Sequence, residues 1–409
     1  MTSAAAPSTE ESKVMTRAKA PSAEQLLGRA VELAAALEQR AGNARELRRV
    51  PDETIADFRE AGFFRILQPA RYGGFELDPQ RFFEIQIAIA KICPSSAWVL
   101  GVLAVHAWQL ALFPEQAQAD VWKDDSSALI SSSYAPTGKI ERVPGGFRVS
   151  GRWSFSSGCD HCQWVFLGGF APTEPDAKAP DMRTFLLPRS DYTIEDNWYV
   201  IGLSGTGSKD IVVDGAFVPE HRTHRLIDGF RRKSPGNELN AAPLFKLPFG
   251  QIFVRSVSTS AIGCAEGALA AFIEVGKGRI AASDGSKVAV DPTTQMVCAE
   301  ASAAIDEVKL VLRRNFDEMM TLVRSNQDIP IERRVKFRYD SALAVEKCVQ
   351  AVDLLFTASG GRAIFSNSKI ARFFLDVHAA RAHYANGPDK PGRNFGGVEL
   401  GLKNTDFFL

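Results

Sequence analysis

Cysteine is scarce in this chain. Six residues (Cys93, Cys159, Cys162, Cys264, Cys298 and Cys348) are spread over 409 positions. With no secretory signal ahead of them, so thin a distribution argues against a disulfide framework and predicts reduced thiols in a cytoplasmic protein. One pair, in Cys159-Asp160-His161-Cys162, has metal-like spacing, but a structural zinc needs a second ligand pair and none follows downstream. No metal is expected. An excess of one charge is also missing, since 48 Lys and Arg balance 48 Asp and Glu. No global field therefore draws in nucleic acid or an anionic membrane, and short runs such as Arg231-Arg232-Lys233 and Arg333-Arg334 read as solvated faces.

Long apolar runs are lacking too. The most apolar stretch, residues 97–113, falls short of the ~20 residues a membrane span needs and contains His106 and Gln109. No Walker motif occurs. The glycines of GLSGTGSKD (residues 202–210) sit between strand-like runs, outside the strand-to-helix context of a dinucleotide fingerprint, so no nicotinamide site is encoded.

What is present falls into four parts. Residues 1–21, rich in Ala, Ser, Thr and Pro, read as a disordered tail. Residues 22–127 read as an N-terminal helical domain. Leu26, Leu27, Ala30, Leu33, Ala34 and Leu37 share one face of its first helix, Pro51-Asp52-Glu53 opens a second that Gly62 closes, and Asp78-Pro79 starts a third. The apolar run 97–113 predicts a buried central helix, which carries His106 inside. Residues 128–233 change to short alternating runs divided by Gly and Pro, the pattern of an antiparallel β domain of six to eight strands. After a connector at 234–248, residues up to 409 read as four long amphipathic helices, enough for a bundle. The fold class is α+β multidomain: helical domain, central β domain, C-terminal four-helix bundle.

Two hydroxyl runs punctuate the β domain, Ser131-Ser132-Ser133 and Ser156-Ser157-Gly158. Short side chains let a flat ligand approach the backbone, and their hydroxyls and amides can bond its edge. Serine-rich turns alone would give the same composition.

This order of segments resembles the acyl-CoA dehydrogenase superfamily. Tyr72-Gly73-Gly74 resembles its early YGG, GRWSFSSG (151–158) its flavin-facing strand end, and GTGS with the later FVPEHR (217–222) the close of its β domain. More specifically, SSSYAPTG, SSGCDH, WYVIGLSGTGS, FVPEHR and HAARAH, in that order, resemble the oxygenase components of two-component, reduced-flavin-dependent aromatic hydroxylases. These are the p-hydroxyphenylacetate and steroid-ring phenol hydroxylase types, and the resemblance spans about residues 47–402. The dehydrogenase branch differs at two points. Its glutamate beyond the last core helix is replaced by AHYANGPD, with no carboxylate before Asp389. Its adenine-holding Arg-x-x-Phe-Gly is replaced by GKGRIAASDGS (276–286). A smaller departure is Leu375, where the hydroxylases have Arg.

The resemblance implies a C4a-hydroperoxide formed from O2 and reduced FMN or FAD, the flavin being supplied by a separate NAD(P)H-dependent reductase. It further implies hydroxylation of a small aromatic, phenolic substrate by a cytoplasmic homotetramer. N-, S- or indole oxygenation shares that chemistry, and acyl-CoA dehydrogenation is the other alternative. By resemblance His106 is the base for a phenol of pKa ~10, because imidazole titrates near neutrality. Ser132 would bond the phenolic oxygen, and His383 would act as donor near the flavin. Trp153, Phe155, Ser156, Ser157 and Ser133 would line the flavin, Lys246 would meet its phosphate, and Phe249 would lie over the substrate. His378 is a weaker candidate, and His161, His221 and His224 are expected in structural or surface roles.

Overall fold

The computed structural model describes residues 20–173, 180–280 and 285–409. Most of the tail predicted over residues 1–21, and residues 281–284 of the Arg-x-x-Phe-Gly comparison, lie outside them.

The first helix is capped by Ser22, whose hydroxyl accepts from Gln25 N while the Gln25 side chain accepts from Ser22 N. This reciprocal cap satisfies two donors that a helix start leaves free. It launches α1 (Ala23–Glu32), and α2 (Ala34–Leu47) follows. The single helix expected here is interrupted at Leu33, where ψ relaxes to −9°. Then come α3 (Asp52–Glu60), α4 (Pro79–Ala90), α5 (Pro94–Leu110) and α6 (Glu115–Trp122). α5 is the expected central helix. Sixteen of its residues are buried, which an all-round apolar sequence requires.

Among the described residues eight strands follow: β1 (Ile130–Ser133), β2 (Lys139–Val143), β3 (Gly146–Ser156), β4 (Trp164–Ala171), β5 (Asp181–Pro188), β6 (Thr193–Glu195), β7 (Lys209–Pro219) and β8 (Thr223–Arg225). They form two four-stranded sheets, β1-β4-β5-β8 and β2-β3-β7-β6. The sheets pack around Phe147, Trp153, Phe185 and Ile211, the apolar side of each strand's alternation. One pairing corrects the antiparallel expectation: β1 runs parallel to β4, with Ser132 opposite Phe166. The strand-like run YTIEDNWYVIGL supplies only the three residues of β6, and residues 196–203 are loop.

The C-terminal part starts with the short α7 (Leu226–Arg231). The bundle is α8 (Phe249–Gly278), α9 (Pro292–Arg324), α10 (Ile331–Ala358) and α11 (Lys369–Arg381), followed by α12 (Asp389–Glu399). α6, α7 and α12 were not expected. α8 is long and apolar enough to cross a membrane, but most of it is buried inside this fold. It packs against α4 and α5 on one side and α10 and α11 on the other. Its N-terminal end lies where β1, α5 and the α11 terminus converge.

Candidate active site

His106, on α5, is fully buried. Its Nδ1 lies 2.6 Å from the Ile130 carbonyl oxygen at the start of β1. A carbonyl only accepts, so Nδ1 carries the proton and Nε2 presents a lone pair. That Nε2 is buried and has no partner. The rings of Tyr134 and Phe166 stand edge-on to the imidazole at 6.2 and 5.8 Å. Burial pushes the His106 pKa down to about 4, because removing water penalises the imidazolium.

Ser132 is half-buried one strand position away from two buried serines. Its side chain lies close enough to the Tyr134 hydroxyl to favour the phenolate slightly, against the larger effect of burial. Tyr134 in turn donates to Gln109 Oε1 on α5. Desolvation raises the Tyr134 pKa, so this phenol stays protonated. Ser133 Oγ donates to the Ser154 carbonyl at 2.7 Å, which ties the first serine run on β1 to β3, two residues before the second run begins.

The second run faces another set of groups. Trp98 Nε1, on α5, donates to Ser157 Oγ at 3.1 Å. Ser157 bonds Ser208 Oγ at 2.7 Å, and Ser208 bonds Thr206 Oγ1 at 2.7 Å. Ser156 Oγ is buried without a partner. Phe155 is 69% exposed, has φ +68°, and meets the Trp198 ring edge at 6.0 Å. Trp98 therefore joins this wall to the third element of the site, because its indole stands edge-on to His383 at 5.6 Å.

His383 caps the turn after α11. Its Nδ1 accepts from Ala385 N at 3.1 Å, so the neutral ring carries its proton on Nε2 as a donor. Burial, with the nearby Arg338 charge, lowers its pKa and keeps it neutral. Phe253 lies 6.2 Å from His383 and 5.1 Å from Tyr134, bridging the two histidine surroundings. Phe249, also on α8, stacks with Phe253 at 5.6 Å and with Trp108 at 6.3 Å, and stands edge-on to Tyr134 at 5.6 Å.

The structure thus brings His106, Ser132, Ser133, Phe249 and His383 around one aromatic cluster, with Ser157 joined to it through Trp98. Two expected residues stand apart. Trp153 is fully buried between the sheets, with Nε1 donating to the Gly168 carbonyl at 2.9 Å, so it is core and not ligand wall. Lys246 turns to Asn326 Oδ1 at 3.4 Å, in the loop between α9 and α10, and bonds none of the cluster. Trp98, Gln109, Tyr134, Phe253, Thr206 and Ser208 belong to the site but escaped sequence reasoning. Tyr134 and the GTGS hydroxyls were visible inside quoted motifs; Phe253 and Trp98 carried no local signal.

The remaining polar candidates are engaged elsewhere. Cys162 Sγ meets the Gly158 carbonyl and Cys159 Sγ the Gly207 carbonyl, while Asp160 pairs with Lys209 at 2.9 Å. No metal-holding group of three occurs among the described residues. His161 faces Asp52, His221 faces Asp120, His224 bonds Ser234 Oγ, and His378 bonds Asp353 at 2.7 Å.

Comparison with known proteins agrees with this layout. Residues 22–124 match the acyl-CoA dehydrogenase N-terminal domain, and residues 256–388 match its C-terminal domain. The chain is 41% identical over 360 residues to the flavin-dependent monooxygenase oxygenase subunit HsaA of Rhodococcus jostii, covering 88% of this chain and 94% of that one. It is 35% identical to the oxygenase component of an FADH2-dependent resorcinol hydroxylase from Rhizobium, covering 87% and 89%. The crystal structure of 3-HSA hydroxylase from Rhodococcus superposes with a TM-score of 0.90 at 39% identity, over 94% of this chain and 99% of that one. Naming such proteins as subunits or components implies a second component. The chain belongs to the acyl-CoA dehydrogenase family, and within it to the flavin-dependent monooxygenases of the oxygenase-component type.

Proposed function

We propose that this enzyme hydroxylates the ring of a phenol next to its hydroxyl, using reduced flavin delivered by a separate NAD(P)H-dependent reductase. The observation that carries this reading is the unpartnered Nε2 lone pair of His106, buried among aromatic rings. A phenol that places its O–H there hydrogen-bonds Nε2 and passes its proton to it as the ring carbon is attacked; burial makes this imidazole a weak base at rest, and the Ile130 carbonyl stabilises the imidazolium that forms through Nδ1–H. Loss of the proton enriches the adjacent ring carbon in electrons, which prepares it for an electrophilic oxygen. Ser132, whose side chain lies near the Tyr134 hydroxyl, is placed to bond the phenolic oxygen.

Reduced flavin, when bound, supplies the activation of O2. The residues fit such a group. Ser156 Oγ is a buried hydroxyl lacking a partner, the Ser157–Ser208–Thr206 chain, whose protons run on to the Leu203 carbonyl, keeps oxygen lone pairs that can accept, and the exposed Phe155 and half-buried Trp198 rings suit a flat apolar edge. FMN and FAD are both compatible with this wall. His383 presents Nε2–H from the opposite side of Trp98 as a neutral donor. The aromatic rings of the cluster exclude water from both groups.

The resorcinol and HsaA relatives support an aromatic substrate, and the apolar cluster supports a neutral one. Nothing in residues 382–388 offers the carboxylate that thioester oxidation needs. A cytoplasmic homotetramer belongs to the same proposal. Ile364, Phe365, Leu400 and Leu402 are exposed apolar residues that further copies of the chain would cover, and sedimentation of the purified protein tests it.

The deciding experiment mixes the protein with reduced FMN anaerobically, then adds O2 and each member of a phenol panel, and counts hydroxylated product per flavin oxidised. Wild type is expected to couple the two for at least one phenol, whereas His106→Ala oxidises flavin without product. Equal product yield from His106→Ala removes His106 as the base. Absence of product from wild type with every phenol, but oxygenation of indoles or sulfides, transfers the substrate to those classes.

A further inference from the structure

The aromatic cluster is closed by a segment far from every sequence motif. Residues 402–409 return from α12 and lay Phe408 across the start of α8, edge-on to Phe249 at 5.4 Å and to Phe253 at 5.6 Å. The order outward from His106 is therefore Tyr134, then Phe249 and Phe253, then Phe408.

The segment is fastened at several points. Asn394 on α12 donates to Asn404 Oδ1 at 2.8 Å and accepts from Thr405 N at 2.9 Å. Asp406 Oδ1 accepts from Phe408 N at 2.9 Å, and its charge offsets the buried guanidinium of Arg338. Arg334, one turn earlier on α10, is also buried and donates to the Leu409 carbonyl. Phe407 packs on Phe230 of α7 at 5.3 Å. Gly250 makes room for the crossing: a Cβ there would lie 2.5 Å from the Phe408 carbonyl carbon and 2.7 Å from Leu409 N, both backbone atoms that cannot step aside.

Two independent features need explanation here: a glycine in a 30-residue helix where the backbone of the strap crosses, and a buried arginine, Arg334, that holds the strap's last carbonyl while the buried Arg338 faces the charge of Asp406. A strap that only filled surface space would need neither, since leaving cations this buried is costly without a specific role. We infer that residues 402–409 form the distal wall of the substrate site, and that Phe408 is a specificity-determining residue that limits how far a phenol can extend away from His106. The inference rests on the phenol reading of the site. A phenol anchored at His106 Nε2 points its para substituent along Tyr134 and Phe249 toward Phe408, so the wall selects by length and not by charge.

The test measures equilibrium binding of phenol and of 4-alkylphenols of rising chain length to the full-length protein, with no turnover required. Wild type is expected to tighten with each added methylene and then to lose affinity at a definite length. Phe408→Ala is expected to move that limit to longer chains and to improve the longest alkylphenol relative to phenol by about tenfold, the usual worth of one or two methylenes in an apolar pocket. Phe408→Leu, which keeps most of the packing, gives a smaller shift in the same direction and serves if the alanine variant does not fold. An unchanged length limit in the folded variants overturns the strap as a specificity wall while leaving the phenol reading intact. Failure of wild type to bind any phenol overturns both.

Discussion

His106 and His383 are held in opposite neutral tautomers. His106 gives its Nδ1–H to the Ile130 carbonyl and keeps a free lone pair on Nε2, whereas His383 accepts the Ala385 N–H on Nδ1 and keeps its proton on Nε2. One imidazole is thereby set to take a proton and the other to donate a hydrogen bond, with Tyr134 and Phe253 between them. Backbone groups fix both choices, so neither depends on a neighbouring charged side chain.

The two histidines should therefore fail differently. His106→Ala is expected to lower coupled hydroxylation by about 10²–10⁴-fold, the usual worth of a positioned base, while reduced flavin is still oxidised by O2. His383→Ala is expected to speed unproductive flavin oxidation, with hydrogen peroxide replacing product even for phenols that bind normally. Product and peroxide yields per flavin distinguish the two. A matching loss of coupling in both variants, with equal peroxide, would show that they act as one unit.

Much of this site was legible in the sequence, and the exceptions have physical causes. His106 stood out because a histidine in an all-apolar helix must be buried, and the two serine runs stood out because small hydroxyl residues interrupt strand sequence. Trp153 and Phe155 were read alike because a strand alternates faces every residue. The backbone breaks that alternation with a bulge between Trp153 and Ser156, where Phe155 adopts φ +68°, so Trp153 points into the sandwich and Phe155 out of it. No local pattern announces such a bulge. The aromatic cluster was illegible for another reason: Trp98, Tyr134, Phe253 and Phe408 come from four distant segments, and only the fold brings them together.

Trp153 accordingly belongs to stability. Trp153→Ala is expected to cost about 3–5 kcal/mol, because it empties a fully buried site and orphans the Gly168 carbonyl. Urea denaturation measures the loss. The folded fraction of the variant should bind reduced flavin with unchanged affinity, while Ser157→Ala should weaken that affinity by breaking the link from Trp98 to Ser208.

The loop that carries Thr206 and Ser208 depends on α11. Asp376 Oδ1 accepts from Leu203 N at 2.7 Å, where Leu203 sits at φ +51°, and Gly202 lies so close that a Cβ would be 2.1 Å from the Leu375 carbonyl oxygen. Asp376→Ala leaves a buried N–H without an acceptor and is expected to cost about 1–3 kcal/mol. Asp376→Asn keeps the acceptor and should recover most of it. Reduced-flavin affinity should follow the same order, since the loop positions Ser157's partner.

Burial of neutral imidazoles also sets how stability depends on pH. His106, His224 and His383 have folded-state pKa values pushed down to about 4, chiefly by desolvation, against the ordinary 6.5. Between those values the unfolded chain binds about three protons that the folded chain refuses, so stability falls as pH drops from 6.5 toward 4. Asp376 acts in the opposite sense. Burial raises its pKa to about 6, so the folded state takes up its proton first and gains stability as pH falls through 6 toward 3.8. Three protons against one leave a net excess of about two on the unfolded chain near pH 5, or a loss of about 2.7 kcal/mol per pH unit. Denaturation midpoints measured from pH 7 to pH 4.5 should fall with that slope. Asp376→Asn should steepen it by removing the opposing group, and His224→Gln should flatten it; a slope unaffected by either substitution would mean that other groups govern the acid response.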